Sequence, residues 1–142
     1  MTLASYVRPV VSVSLGDGVV AAASLLRNER VGCIVVTRDG RPIGIFTDRD
    51  LALRVVADAR SPQATRVEDI MTFDPITLPL SETVDSAVRC MREHGVRRIP
   101  IVDDAGAVVG IVTADDLFVD LGRQLAAVGE AIAEPADSED SR

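Results

Sequence analysis

The phrase Gly-apolar-apolar-Thr-x-x-Asp-Leu is written twice in this chain, as GIFTDRDL over residues 44–51 and as GIVTADDL over residues 110–117. An internal repeat constrains a fold strongly, because both copies must adopt one structure and neither buries its apolar face alone. Shifting the chain by 65 positions extends the match: Val19, Ala22, Ala23 and Leu26 fall on Val84, Ala87, Val88 and Met91. Both sets are spaced i, i+3, i+4, i+7, the apolar stripe of an amphipathic helix. Acids stand near each helix start, Asp17 in one copy and Glu82 and Asp85 in the other, where the helix dipole favours them. Gly95 suits the left-handed end of the second helix. Arg30 fits that position poorly, so the first helix is expected to end at Asn28.

After each helix comes a β-branched run, CIVVT (33–37) opposite RIPIV (98–102), and these read as buried strands. Turn signals follow, RDGR and DDAGA, and Asp-Gly between apolar runs predicts a hairpin. The return strands are PIGIFT (42–47) and VVGIVT (108–113), each running into the repeated phrase and a further helix, DRDLALRVVA and ADDLFVDLGRQLAAV. Ahead of each unit lie extended starts, VVSVS (10–14) and PITLP (75–79), preceded by short helical turns in TLASYV and VEDIMT. ADARSPQATR (57–66) reads as the linker. One unit of roughly 60 residues is marginal alone, and two can bury a joint core. The expected class is α/β (α+β): tandem βαββα units packed through their sheets with pseudo-twofold symmetry. Residues 1–66 form the first unit with its linker, 67–128 the second, and 129–142 an acidic tail expected to be disordered.

Composition narrows the function. The chain of 142 residues carries a net charge of −7 and only 3% aromatic residues. Five acids from Glu130 onward oppose Arg142, leaving the body near −3. That balance offers neither a basic face for a phosphate backbone nor rings for stacking, so nucleic acid is not an expected partner. Every basic residue is Arg, which rules out Schiff-base and lysine-base chemistry and leaves fork-like binding of phosphate or carboxylate. MTLASYVRPV has no basic leader or apolar h-region, so no signal peptide is expected. No apolar run approaches the length of a membrane span. Two distant cysteines make no disulfide framework. A cytoplasmic protein with reduced thiols is the resulting expectation.

The tandem spacing, the twice-written phrase and the run VEDIMTFDPITLPLSETVDSAVRCMREHGVRRIPIVDDAGAVVGIVTADDL resemble the CBS-domain pair, or Bateman module, over about residues 2–124. The resemblance implies a ligand of the adenosyl nucleotide class: AMP, ADP or ATP, in some members NAD, S-adenosylmethionine or a diadenosine polyphosphate. It also implies a sensor that changes shape or assembly on binding, and a homodimer forming a disc of four units. With no output domain in the sequence, the regulated target is expected to be an unidentified partner protein.

The phrase itself admits two uses. Thr-x-x-Asp before an apolar helix is a capping-box variant, and Gly44 and Gly110 let a strand pack closely. The same geometry suits a nucleotide. Thr47 and Thr113 each add a hydrogen bond at a helix start that favours phosphate, and Asp50 or Asp116 accepts from a ribose diol. An adenine can lie against Val11, Ser12 and Val13 at the first site and against Ile76, Thr77 and Leu78 at the second, positions the resemblance also assigns to ligand contact. The sites differ. Arg49 puts a cation beside the first, and Asp115 puts an acid beside the second. The first is therefore expected to prefer a phosphorylated ligand, and the second to bind more weakly or to prefer a positive group. Arg97 and Arg98 precede a strand between the halves, from which one reaches across to a phosphate or both are solvated. Pro100, unable to donate in a ladder, suits an edge or a ligand-facing place.

Other constellations are thin. Cys90 and His94 share a helix face, but a zinc site needs more ligands than Cys33 and nearby acids supply, so no metal is assigned. The lone histidine, His94, has no nucleophile signature around it. Asp103–Asp104 and Asp115–Asp116 read as structural or solvated pairs. No cofactor and no catalytic residue are assigned, and the protein is read as non-enzymatic. The alternative reading is a structural or protein-interaction dimer that has kept the fold and lost the nucleotide.

Overall fold

The computed structural model describes residues 1–133. The repeat becomes two like halves. In the first, β1 (Ser12–Ser14) runs parallel to β2 (Cys33–Arg38) through the crossover helix α1 (Val19–Glu29), and β3 (Arg41–Thr47) returns antiparallel. The short α2 (Asp48–Leu51) follows and widens into a π-type turn at Ala52–Val56. A further strand, β4 (Thr72–Phe73), pairs with the free edge of β3. In the second half β5 (Leu78–Pro79), α3 (Val84–His94), β6 (Arg98–Val102) and β7 (Val108–Thr113) repeat the path, and α4 (Ala114–Ala133) ends it. The sheets read β1-β2-β3-β4 and β5-β6-β7.

Local chemistry explains most of this. The helical stripes bury Val19, Ala22 and Leu26 on α1 and Ala87 and Met91 on α3, while Ala23 and Val88, expected in the same stripes, stay exposed because they face away from the two cores. Asp39 and Gly40 both take positive φ, 53° and 78°, the backbone of a tight hairpin turn that matches strand twist. Gly95 ends α3 at φ 64°, as its sequence argues. The first helix corrects expectation: it passes Asn28 and stops at Glu29, with Arg30 in the left-handed conformation at φ 54° and its N–H donating to the Leu26 carbonyl. The carbonyl geometry of a helix end needs that conformation, and Arg30 adopts it at some cost. At the other end of the chain α4 runs on to Ala133, past the start of the segment read as tail, and residues 134–142 lie outside the described part.

The cores take their leading segments crosswise. The first core holds Val13, Ala22, Ile34, Val36 and Phe46, and it also holds Val67 and Ile70 from the start of the second copy. The second core holds Ala87, Ile99, Ile101 and Val112, and with them Leu3 from the start of the first. The short helical turns at Leu3–Ser5 and Val67–Asp69 carry these residues across. Backbone bonds fix both crossings: the Val67 N–H donates to Asp17, and the Leu3 N–H donates to Glu82. A boundary at residue 66 divides the repeat in sequence, while packing interlocks it.

Candidate functional site

The repeated phrase sits where a return strand becomes a helix. In the first copy the Asp50 N–H donates to Thr47 Oγ1 at 3.3 Å, and the Thr47 N–H donates to Asp50 Oδ2 at 2.9 Å, a reciprocal cap. Asp50 Oδ1 is not used by the cap. Its nearest cation, Arg54 Nε, is 3.8 Å away, and Arg54 donates instead to the Ile70 carbonyl at 2.7 Å. In the second copy the Asp116 N–H donates to Thr113 Oγ1 at 3.1 Å, but the Asp116 carboxylate turns to Arg8, with Nε 2.8 Å from Oδ2. The glycines have a packing reason. A Cβ on Gly44 would overlap the Met71 thioether, and one on Gly110 would overlap Val7 and lie 2.7 Å from the Arg8 carbonyl oxygen. Each phrase therefore marks the place where the other copy's leading segment crosses.

That crossing makes both clefts composite. The first, of about 190 Å³, joins Ile45, Phe46, Thr47 and Asp50 to Thr72 and to Val96, Arg97 and Arg98 at the entry to β6. Arg98 reaches across the halves: a Cβ on Gly32 would stand 3.3 Å from its Nη2. Arg97 is committed to Asp115, with Nη2 2.5 Å from Oδ1 and both side chains exposed. Arg49 is exposed and does not line this cleft. The structure thus brings Thr47, Asp50, Arg97 and Arg98 together, and the cation beside Asp50's cleft comes from the second copy.

The second cleft, of about 290 Å³, sets Asp116, Asp120 and Arg123 of α4 against Ser5, Tyr6 and Arg8. Asp115 does not line it, and its acid is paired with Arg97. The Tyr6 hydroxyl donates to Asp120 Oδ2 at 2.7 Å, which raises the phenol above its ordinary pKa, with desolvation and the Asp120 charge adding. Arg8, Tyr6 and Asp120 escaped the sequence argument. The available signal was register: YVRP aligns with IMTF, which puts Arg8 at the place of Thr72 in a segment known only to precede a strand.

The remaining candidates stand apart from these clefts. Val11, Ser12 and Val13 lie on the far side of β2 from β3, with Val13 in the core and Ser12 exposed. Ile76, Thr77 and Leu78 are half-buried at the equivalent place. Pro100 is not at an edge: it is fully buried in β6, the central strand of its sheet. Its missing N–H accounts for a difference between the halves. In the first, the Val35 N–H donates to the Val11 carbonyl. Pro100 stands at the matching position and cannot donate, so the parallel pairing begins only at Leu78 and Ile101.

Burial pushes the Cys33 thiol up, with Arg98 drawing it back in part and Asp48 adding to the rise. Desolvation, then Glu93, raises Cys90 as well. Both are free thiols without the lowered pKa of a reactive cysteine. His94 Nδ1 faces the Cys90 carbonyl oxygen at 3.0 Å. No group of three or more potential metal-ligating side chains occurs among the described residues, and no described helix is long and apolar enough to cross a membrane.

Comparison with known proteins agrees with this fold. The family model described as the CBS domain matches residues 4–57 and again 67–122. Protein MK0525 of Methanopyrus kandleri is 38% identical over 112 residues, covering 78% of this chain, and the chain spans 57% of that relative's length. Among solved structures, the CBS-domain pair of protein MJ0100 in complex with 5′-methylthioadenosine and S-adenosyl-L-methionine superposes with a TM-score of 0.78 at 26% identity, over 87% of this chain and 98% of that one. Protein PAE2072 of Pyrobaculum aerophilum, complexed with AMP, gives 0.75 at 29% identity, over 82% and 90%.

Proposed function

The chain belongs to the CBS-domain family as a tandem pair, and from that premise we propose that it is a non-enzymatic regulatory module that binds an adenosyl nucleotide between its copies. The observation that carries this is the first cleft, where Thr47 and Asp50 of one copy face Arg98 of the other. Asp50 caps its helix with one carboxylate oxygen and keeps the other for a ribose diol. Arg98 supplies the fork for a phosphate. The adenosyl ligands of the MJ0100 and PAE2072 proteins support the same class here, AMP above all. Because the cleft draws on both copies, a ligand there changes how they sit against each other, and an unidentified partner protein reads that change.

Homodimerisation belongs to this reading. Val88 on α3 and Phe118, Leu121, Leu125, Val128 and Ile132 on α4 are large apolar side chains left exposed. The α4 residues recur at alternating three- and four-residue steps, the seam of a helix that packs on another helix. A second copy is the occupant this seam fits. Two free thiols suit a reducing, cytoplasmic setting.

One observation favours the alternative of an interaction dimer without nucleotide: the first cleft, at about 190 Å³, is smaller than the roughly 300–1,000 Å³ of ligand pockets. A thermal-shift titration decides between them. The panel is AMP, ADP, ATP, NAD and S-adenosylmethionine, with Asp50→Asn beside the natural chain. A ligand at a hundred times its dissociation constant adds about 2.7 kcal/mol, and the Asp50→Asn variant should lose that shift. A panel with no shift favours the interaction dimer.

A further inference from the structure

Each cleft holds the aspartate of the repeated phrase, yet only in the second does an arginine of the other copy's leading segment bond that carboxylate. Arg8 is held beside β7 by its backbone: its N–H donates to the Ile111 carbonyl and its carbonyl accepts from the Ile111 N–H, both at 3.0 Å. From there the guanidinium Nε lies 2.8 Å from Asp116 Oδ2, with the Arg8 side chain 68% exposed and the Asp116 side chain 23% exposed. In the first cleft the register position of Arg8 is taken by Thr72, which pairs with Ile45 as Arg8 pairs with Ile111 and brings no charge, and Arg54 stays 3.8 Å from Asp50, beyond hydrogen-bond range. A carboxylate serves a ribose diol through its free lone pairs. A charge-assisted bond from Arg8 takes Asp116 Oδ2 and sets a guanidinium beside the carboxylate in the lining of the cleft. The entry to β2 carries Gly32 and Cys33 where the entry to β6 carries Arg97 and Arg98, and the cations that line the second cleft are Arg8 and, on the helix of Asp116, Arg123.

We infer that Arg8 sets the selectivity between the two clefts: its ion pair withholds Asp116 from a nucleoside, so that the chain takes its nucleotide at the Thr47/Asp50 cleft and none at the second. The inference rests on the nucleotide reading above. It assigns to Arg8 the asymmetry that the sequence places on Arg49 and Asp115. Losing charge-assisted hydrogen bonds to the diol weakens a ligand by about tenfold or more, and an exposed ion pair is weak enough for a single substitution to release it.

The test uses the full chain, AMP as the probe, and a reporter fixed in the second cleft. Tyr6 lines that cleft and is the sole tyrosine of a chain without tryptophan, so its ring resonances report this cleft alone. In the natural chain, AMP at concentrations up to the millimolar range should leave the Tyr6 ring unmoved. Arg8→Ala should gain a saturable Tyr6 response, at an AMP affinity at least about tenfold tighter than the natural chain's second cleft. Arg8→Lys, which restores a cation, should return the cleft toward silence. Combining Asp50→Asn with Arg8→Ala should keep the Tyr6 response while calorimetry shows the first site lost. A silent Tyr6 in Arg8→Ala overturns the inference. So does a response in the natural chain that Arg8→Ala abolishes, since Arg8 would then be a phosphate ligand. If the natural chain binds no AMP and Arg8→Ala gains the Tyr6 response, the role of Arg8 stands and the proposed first site falls.

Discussion

Each position of the repeated phrase has its own task. The glycine yields to the other copy's leading segment, the threonine caps a helix, and the carboxylate returns that cap at Asp50 but turns to Arg8 at Asp116. The glycines are separable by experiment. A Cβ on Gly110 meets the Arg8 carbonyl oxygen at 2.7 Å, a backbone atom fixed by the Ile111 N–H that donates to it. A Cβ on Gly44 meets the Met71 side chain, a thioether with three rotatable bonds. Gly110→Ala should therefore cost about 3 kcal/mol or more, and Gly44→Ala about 1–2 kcal/mol, in the range of overpacked cores. Urea unfolding of the two variants checks the order, and equal costs would show that both crossings yield alike. At this scale the need for close packing at the glycines was legible, because Gly in a strand carries that meaning. What packs there was not, because Val7 and Met71 belong to the opposite copies and no local pattern names them. The same limit hid Arg8, whose role depends on an aspartate far along the chain.

Elements were legible where a period or a turn signal is local. The stripes of α1 and α3, the Asp-Gly hairpin and the return strands leading into each phrase all lie where their residues put them. The errors fall at places where tertiary packing outweighs local preference. Arg30 takes a left-handed φ because α1 must end there to deliver Cys33 and Ile34 into β2, although nothing in an arginine side chain favours it. Arg30→Gly should relieve that strain and stabilise the chain by about 0.5–1 kcal/mol, against a small loss from the added freedom of the unfolded chain. Gly95→Ala, at the matching end of α3, should destabilise it by about 1 kcal/mol. Opposite shifts in melting temperature are the expected result, and a destabilising Arg30→Gly would show that its side chain contributes more than its backbone costs. Pro100 is a second case: the missing donor was visible, but its place in a central strand follows from a partner strand, β5, that starts late enough not to need it.

For the molecule as a whole, the crosswise exchange turns two marginal units into one interlocked body. Neither core is complete without the other copy's leading turn, since Leu3 is fully buried in the second and Val67 in the first. The polar link from Tyr6 to Asp120 and the ion pair from Arg8 to Asp116 tie the same first residues to α4. Residues so near a chain end are ordinarily tolerant of change, because few contacts hold them. Here the opposite is expected. Leu3→Ala removes buried methyl groups from a packed core and should cost about 2–5 kcal/mol. Its damage should fall on the second half, with loss of amide protection along β6 and β7 before β2, although β2 lies nearer in sequence. Urea unfolding gives the cost, which should appear within one cooperative transition because each half needs the other. Hydrogen exchange gives the location. A cost under about 0.5 kcal/mol, or lost protection confined to residues 1–8, would mean that the leading turn rests on the second core without completing it. The short turns lie where the sequence puts them, but the chain has two cores where one joint core was expected, and each turn serves the other copy's core. Periodicity reports which face of an element is apolar, and the choice between two equivalent cores is made only when the halves come together.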